Sequence, residues 1–315
     1  MSKRVRNRAV RWVIGVAVLL AVTSALAESR VDCGKLQSKV LGRAVPYCVM
    51  LPSSYDESVK TTGSASVSDP TLRVAQGGAP KGKRYPILYY LHGLGDNEQS
   101  LVNGGGWNLY ERMLEEKKIG EYIIATPYGY RSFYINARDG KFAYEDFFVK
   151  EFMPAMERKY RVRAGRASRG IMGVSMGGYG AFHYAFKYPE RFVSVSAHMA
   201  AFMEDPPANL GGTREGRLLG DVFGNPLDKQ YYQRNSPFSL ARTRPVATLN
   251  RLAIYFDVGR NDGYGFDAGN TALSNVLNSR GVKHEFHVFP GGHDWSFVVE
   301  HFGKSLEWHG EAFSK

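Results

Sequence analysis

The chain predicts an α/β fold: a mostly parallel sheet of about eight strands, an antiparallel hairpin at its N-terminal end and helices on both faces. Three observations carry this. From Tyr85 onward, short apolar strands alternate with helical segments. A hairpin pattern precedes them. In the middle, an apolar strand runs through Gly173-Val174-Ser175-Met176-Gly177 directly into a helix. At 315 residues, with an ordinary apolar and aromatic content, the chain suits one large globular domain.

The first residues read as a processing signal and lie outside the fold. Lys3, Arg4, Arg6, Arg8 and Arg11 form a basic region, Trp12 to Val22 an apolar one, and Ala25-Leu26-Ala27 a cleavage site. Residues 1–27 are therefore expected to be a cleaved secretory leader, and 28–315 the secreted or periplasmic domain. The alternative is an uncleaved membrane anchor, although the apolar run is short for a span. Removing the leader's five basic residues takes the formal charge from +11 to +6. That modest excess does not point to nucleic acid, and no stable membrane association is expected after cleavage. The densest basic run is Arg158, Lys159, Arg161, Arg163, Arg166 and Arg169; it reads as a solvated face at the sheet's N-terminal edge.

Lys39-Val40-Leu41 and Ala44 to Leu51, flanking Gly42-Arg43, read as the hairpin. A Cys33–Cys48 disulfide fits an oxidising compartment. A hairpin turning near Gly42 would, however, pair Cys48 with a residue nearer Ser38, so the bridge requires the segment before Leu36 to fold back. Residues 53–83, rich in Ser, Gly, Thr and Pro, read as a surface loop. Strands follow at Tyr85 to Leu91, Tyr122 to Thr126, Gly170 to Met172, Phe192 to Ala197, Leu252 to Phe256 and His284 to Phe289. Helices are expected at Trp107 to Lys118, Tyr144 to Tyr160, Gly178 to Tyr188, Ala268 to Arg280 and Ser296 to Trp308. The stretch 202–250 is a cap-like insertion whose charges, Arg214 to Asp228, do not read as a greasy lid.

The Gly-x-Ser-x-Gly run has the form of a nucleophile elbow, in which Ser175 sits on a strained strand-to-helix turn. A serine hydroxyl needs a base to take its proton and donors to hold the oxyanion. His293, in Gly292-His293-Asp294-Trp295 after the last strand, is the candidate base. His284 and His287 lie within that strand, three residues apart and on opposite faces, which argues against a shared metal site. His198, His301 and His309 have no partner motif, and His183 reads as structural or exposed. Asp262, in the turn after the seventh strand, is the candidate acid. Asp257 reads as a turn former and Asp267 as a helix cap. Together these give the chain order Ser, acid, His. The oxyanion donors are expected to be the backbone N–H groups of Met176 and Leu94, the latter within His92-Gly93-Leu94-Gly95, where His92 would anchor the loop. Asn103-Gly104-Gly105-Gly106 reads as a rim or the entry to the next helix. Tyr134, Tyr264 and Trp295 fall near C-terminal strand ends and are candidate pocket residues, whereas Tyr130 and Phe133 read as loop packing.

These motifs, with Leu41-Gly42-Arg43, Gly173 to Ala181 and Gly259-Arg260-Asn261-Asp262, resemble an esterase family. It includes esterase D (S-formylglutathione hydrolase), the antigen 85 mycolyltransferases and microbial feruloyl esterases, and the resemblance runs from Leu36 to Trp308. It implies the α/β-hydrolase fold, a Ser175–Asp262–His293 triad, and Leu94 and Met176 as oxyanion donors. The cysteine that often follows the nucleophile motif in S-formylglutathione hydrolases is absent, because Gly177-Gly178 occupies that region; this and the leader argue against a cytosolic glutathione role. The expected activity is hydrolysis of short-chain or aromatic carboxylic esters, with no metal or cofactor needed. Open alternatives are acyl transfer to a sugar hydroxyl, a feruloyl or cell-wall polysaccharide esterase, and a non-catalytic carbohydrate-binding protein on the same fold.

Overall fold

The structure is a computed structural model and describes residues 30–55, 82–206 and 214–315. The predicted leader and most of the 53–83 loop lie outside these residues. Eight strands form one sheet: β1 (Arg30–Ser38), β2 (Arg43–Leu51), β3 (Ile87–Leu91), β4 (Ile123–Pro127), β5 (Arg169–Val174), β6 (Ser194–His198), β7 (Ala253–Gly259) and β8 (Glu285–Phe289). Their spatial order is β1-β2-β4-β3-β5-β6-β7-β8. The pairings β1–β2 and β2–β4 are antiparallel and the others parallel. This is the predicted architecture.

Both faces of the sheet are covered, which is why β3 and β4 read as largely apolar runs. Alternation divides each strand between two cores. Ile87, Tyr89 and Leu91 of β3 enter one; Leu88 and Tyr90 enter the other. The second core is closed by α1 (Gly106–Glu115) and α8 (Trp295–Ser314), through Trp107, Tyr110, Met113, Phe302 and Leu306. The first is closed by α2 (residues 144–159), α3 (Met176–Lys187) and α7 (Phe266–Ser279). Helix α2 runs through Tyr144–Phe147, a π-helical turn at Phe148–Phe152, and Met153–Lys159. The insertion supplies α4 (Arg214–Phe223), α5 (Lys229–Asn235) and α6 (Pro237–Thr243). Leu219, Val222, Phe223, Tyr232 and Phe238 of these helices are buried in the first core.

The hairpin differs from expectation. Residues 39–41 form the turn and not a strand, while β1 extends back to Arg30. Three groups hold the turn: Gly42 takes a positive φ of 63°, the Ser38 hydroxyl accepts the Leu41 N–H, and the Glu151 carboxylate accepts the Lys39 and Val40 N–H groups. Cys33 then pairs directly with Cys48 across the ladder, and the two form the disulfide. No fold-back of the preceding segment is required, because the turn is centred two residues earlier than Gly42-Arg43.

The basic run is corrected in part: Arg158, Lys159 and Arg163 are exposed, but the other three are not. Arg161 is fully buried, with its guanidinium over the Tyr55 ring and bonded to the Tyr55 carbonyl. Arg169 makes a bidentate pair with Glu157, and Arg166 donates to the carbonyls of Pro189 and Arg251. These arginines tie segments together at the sheet's N-terminal edge. A planar fork of donors suits buried carbonyl and carboxylate acceptors better than an ammonium does.

Candidate active site

The C-terminal ends of β3, β5, β7 and β8 converge on Ser175. Its φ of 55° and ψ of −115° lie outside the ordinary regions for a residue with a Cβ. The turn is held from both sides: the Ser175 N–H donates to the His198 carbonyl at 3.0 Å, and its own carbonyl accepts from Tyr179 and Ala201. The flanking glycines are required by close approach. A Cβ on Gly177 would lie 1.9 Å from the Leu91 carbonyl oxygen, and one on Gly173 would lie 2.2 Å from the Gly177 carbonyl. The helix therefore starts directly against the end of β3.

Ser175 Oγ donates to His293 Nε2 at 3.0 Å, and His293 Nδ1 donates to Asp262 Oδ2 at 2.7 Å. The other Asp262 oxygen accepts the Tyr264 N–H at 2.9 Å. The loops after β7 and β8 are zipped together, with Arg260 N–H on the Phe289 carbonyl and Asn261 N–H on the Gly291 carbonyl. A Cβ on Gly259 would lie 2.6 Å from the Gly291 and Gly292 carbonyl oxygens, so this junction also demands glycine. Asp294 caps α8 by accepting the Phe297 N–H, which orients the loop that carries His293.

Leu94 and Met176 flank the serine. Gly93 packs on Ser175, since a Cβ there would lie 3.6 Å from the Ser175 Cβ. Among the described residues, neither the Leu94 nor the Met176 N–H donates to a protein acceptor. Met176 opens helix α3, where backbone N–H groups lack intrahelical partners and favour negative charge. Beneath this loop, His92 Nδ1 donates to the Gly93 carbonyl at 2.7 Å and Nε2 accepts the Gly129 N–H at 2.8 Å. Burial holds its pKa down at about 4, against the opposing effect of the Gly93 bond. The neutral ring is what this acceptor role needs.

Asp96 is a site residue to which the sequence assigned no role. Burial raises its carboxyl pKa, while the neighbouring Trp295 and Ser100 side chains and the Gly93 backbone act in the opposite direction. Its carboxylate lies against the His92-Gly93-Leu94 loop, since a Cβ on Gly93 would be 3.3 Å from Asp96 Oδ2. The signal available was its position in His92-Gly93-Leu94-Gly95-Asp96.

The three pocket candidates separate. Tyr134 is fully buried, with φ 61° and its hydroxyl donating to the His92 carbonyl at 2.9 Å. Its ring fills the space left by Gly129 and Gly180, so it is a pillar under the His92-Gly93-Leu94-Gly95 loop and not a pocket wall. Trp295 packs on Gly104, where a Cβ would lie 2.9 Å from the indole. Gly105, at φ 82°, turns the chain into α1, so Asn103 to Gly106 is the entry to that helix. Tyr264 stands exposed beside His293.

The remaining histidines have partners that the sequence did not show. His198 Nδ1 lies 2.8 Å from Asp257, which also accepts the Tyr255 hydroxyl, and His198 Nε2 lies 2.9 Å from Ser305. Asp257 is therefore buried in β7 and is not a turn former. His309 lies between Ser194 and Ser196, at 2.7 and 2.9 Å. Both networks are wholly buried under α8 and so are closed to substrate. His183, buried on α3, bonds the Asn235 carbonyl and Glu145. The cap position of α7 is Gly265, with Asp267 inside the first turn.

The elbow, the Ser175–His293–Asp262 chain of hydrogen bonds and the free amides beside them form one arrangement. Residues 68–308 match the family model described as "Putative esterase". The chain belongs to the esterase family. Esterase Rv1288 of Mycobacterium tuberculosis is 30% identical over 235 residues, covering 67% of this chain and 49% of that protein. An endo-1,4-beta-xylanase/feruloyl esterase of Xylanibacter ruminicola is 29% identical over 160 residues, covering 47% of this chain and 22% of that one. The esterase chain thus spans half or less of the length of these relatives. Among solved structures, a ferulic acid esterase matches with TM-score 0.73 and 26% identity, covering 91% of this chain and 99% of the other.

Proposed function

We propose that this esterase is an exported serine carboxylesterase that hydrolyses short-chain or aromatic carboxylic esters through an acyl-enzyme. The carrying observation is the continuous path from Ser175 Oγ through His293 to Asp262 on the strained elbow. Ser175 Oγ attacks the ester carbonyl carbon as His293 Nε2 takes its proton. Asp262 holds the Nδ1–H tautomer and stabilises the imidazolium. The oxyanion lies between the Leu94 and Met176 amides, each such donor being worth about 3 kcal/mol in related chemistry. Collapse of the tetrahedral intermediate breaks the C–O bond, and His293 returns the proton to the departing alcohol. Water, deprotonated by His293, then attacks the acyl-Ser175 ester and releases the acid.

Export is supported by the basic, apolar and Ala-x-Ala pattern of residues 1–27. The aromatic-acyl reading is supported by the feruloyl and ferulic acid esterase relatives. The test is turnover of p-nitrophenyl acetate, butyrate and octanoate and of methyl ferulate by residues 28–315, with Ser175→Ala alongside. Turnover that vanishes in the variant is the expected result, and the substrate ranking sets the acyl class. A folded wild type that turns over none of these esters would refute simple hydrolysis; acylation of an added sugar would then mark a transferase.

A further inference from the structure

The N-terminal edge of the sheet, opposite Ser175, carries a row of cations. Arg84 precedes β3, Arg163 and Arg166 precede β5, Arg251 precedes β7 and Lys283 precedes β8. These strands neighbour one another in the order β3-β5-β6-β7-β8, so the row spans four strand spacings, about 19 Å. Hydrogen bonds place its members side by side. Arg84 donates to the Val162 carbonyl at 3.1 Å, next to Arg163. Arg166 donates to the Arg251 carbonyl, and the Lys283 N–H donates to Asn250 Oδ1 at 2.7 Å, next to Arg251. Arg84, Arg163, Arg251 and Lys283 are exposed. Burial, and after it the charge of Arg251, lowers the Arg166 pKa, as expected where cations crowd.

Acids do not cancel this row. At the same edge Glu121 pairs with Lys83, Glu157 with Arg169 and Glu190 with Arg191. Among the described residues, none of the five cations of the row lies in an ion pair. Where their side chains bond, the acceptors are backbone carbonyls, which leave the charge in place. A second line runs beside the first, because helices that connect parallel strands end where the strands begin. Arg244 closes α6 and Arg280 closes α7, and Arg280 donates to the Arg244 carbonyl at 2.9 Å. A helix C-terminus offers about half a negative charge, so each arginine remains in excess. The charged area is therefore broad as well as long. Among the described residues, the exposed large apolar side chains are Val40, Leu94, Tyr264 and Val299. They lie in the β1–β2 turn, in loops at the C-terminal strand ends and in the first turns of α8, so none is at this edge. We propose that this edge docks the protein reversibly on an anionic phospholipid surface. Breadth favours a lipid leaflet over a single linear polyanion, and the lack of apolar groups favours adsorption over insertion. The elbow, at the other end of the strands, then faces away from the lipid. The modest net charge of the domain hides this feature, because the cations come from separate segments that only the parallel sheet brings together.

The test sediments residues 28–315, which contain every described residue, with large vesicles at about 0.1 M salt. One set is phosphatidylcholine, the other phosphatidylcholine with about one-third phosphatidylglycerol. Wild type should bind the second set and not the first, and should be released at about 0.5 M salt. Each cation at such a surface multiplies binding about fivefold. Arg163→Gln, Arg251→Gln and Lys283→Gln together remove three exposed cations whose side chains make no hydrogen bond or ion pair among the described residues. The partition coefficient of this triple variant should fall about a hundredfold. Lys35→Gln, Lys39→Gln and Lys229→Gln lower the net charge equally, but lie in β1, its turn and α5. That control should change binding by no more than about twofold, because its charges are more than a Debye length from the lipid. Equal losses in the two triple variants would reduce the effect to net charge and overturn the docking edge. Wild type that stays in solution with the anionic vesicles would overturn the proposal, and capture on immobilised polyphosphate would then assign the edge to a linear polyanion. Vesicle-bound enzyme should cleave p-nitrophenyl acetate with unchanged kcat/KM; a loss on binding would overturn the outward-facing elbow. Sedimentation reads binding directly, so a protein that cleaves no ester would refute the esterase reading without touching this one.

Discussion

Replacing Ser175 by glycine should raise stability while abolishing the chemistry. The residue holds φ 55° and ψ −115°, the mirror image of an ordinary extended conformation. A side chain with a Cβ is strained there, at about 1–3 kcal/mol, whereas glycine adopts the mirror region freely. The informative reference is Ser175→Ala, because alanine also loses the hydroxyl bond to His293 but keeps the Cβ. Glycine gives back about 0.5–1 kcal/mol through the greater freedom of its unfolded chain. The net advantage of Ser175→Gly over Ser175→Ala is therefore about 1 kcal/mol, a rise in Tm of about 2–4 °C for a domain of this size. Urea unfolding and calorimetry at pH 7 on the two variants measure it, and both should be inactive on every ester. A glycine variant no more stable than the alanine variant would show that the elbow is not strained in the way its dihedrals indicate.

Two further outcomes are expected. Asp96→Asn should lower kcat about ten- to a hundredfold with little change in KM, because Asp96 Oδ2 packs against Gly93 and an amide with a donor in its place shifts the Gly93-Leu94 backbone beside Ser175; steady-state kinetics on p-nitrophenyl acetate would show an unchanged kcat if the carboxylate positions nothing. Burial lowers the pKa of His92 to about 4 and of His309 to about 3, so the unfolded chain binds protons that the folded one excludes once the pH falls below about 6.5. Stability from these groups is complete above pH 6.5 and should fall, between pH 6.5 and 5, with a slope approaching about 1.4 kcal/mol per pH unit for each histidine. His309→Gln should flatten that slope in urea unfolding series, and an equal slope in the variant would exclude His309 as a source.

What was legible in the chain was what is decided locally. Strands β3 and β4 announce themselves through largely apolar runs, since a sheet covered on both faces needs no polar alternation, while β6 and β8 alternate polar and apolar residues. The elbow is legible for the same reason: Gly173 and Gly177 are demanded by contacts within a single strand–turn–helix unit and the neighbouring end of β3. Asp262 and His293 could be chosen from chain order and from the strands they follow, and the structure brings them to Ser175. Boundaries moved by a few residues at helix ends, as with α8, which runs on to Ser314.

What tertiary structure alone decided is what depends on partners far along the chain. The polar stretch Arg30 to Ser38 carries little strand signal of its own and becomes a strand through pairing with β2. Its turn is set by Glu151, more than a hundred residues away. Arg161 reads as a surface charge until Tyr55, 106 residues earlier, supplies an acceptor and a ring. Tyr134 reads as a pocket aromatic until Gly129, Gly180 and the His92 carbonyl enclose it. Asp257 and His198 read as unpartnered until parallel strands β6 and β7 place them in register. Local chemistry determined the fold class and the candidate reacting groups of this esterase. The burial of each polar side chain, and with it the choice between strut and substrate contact, was determined by which distant segment came to rest against it.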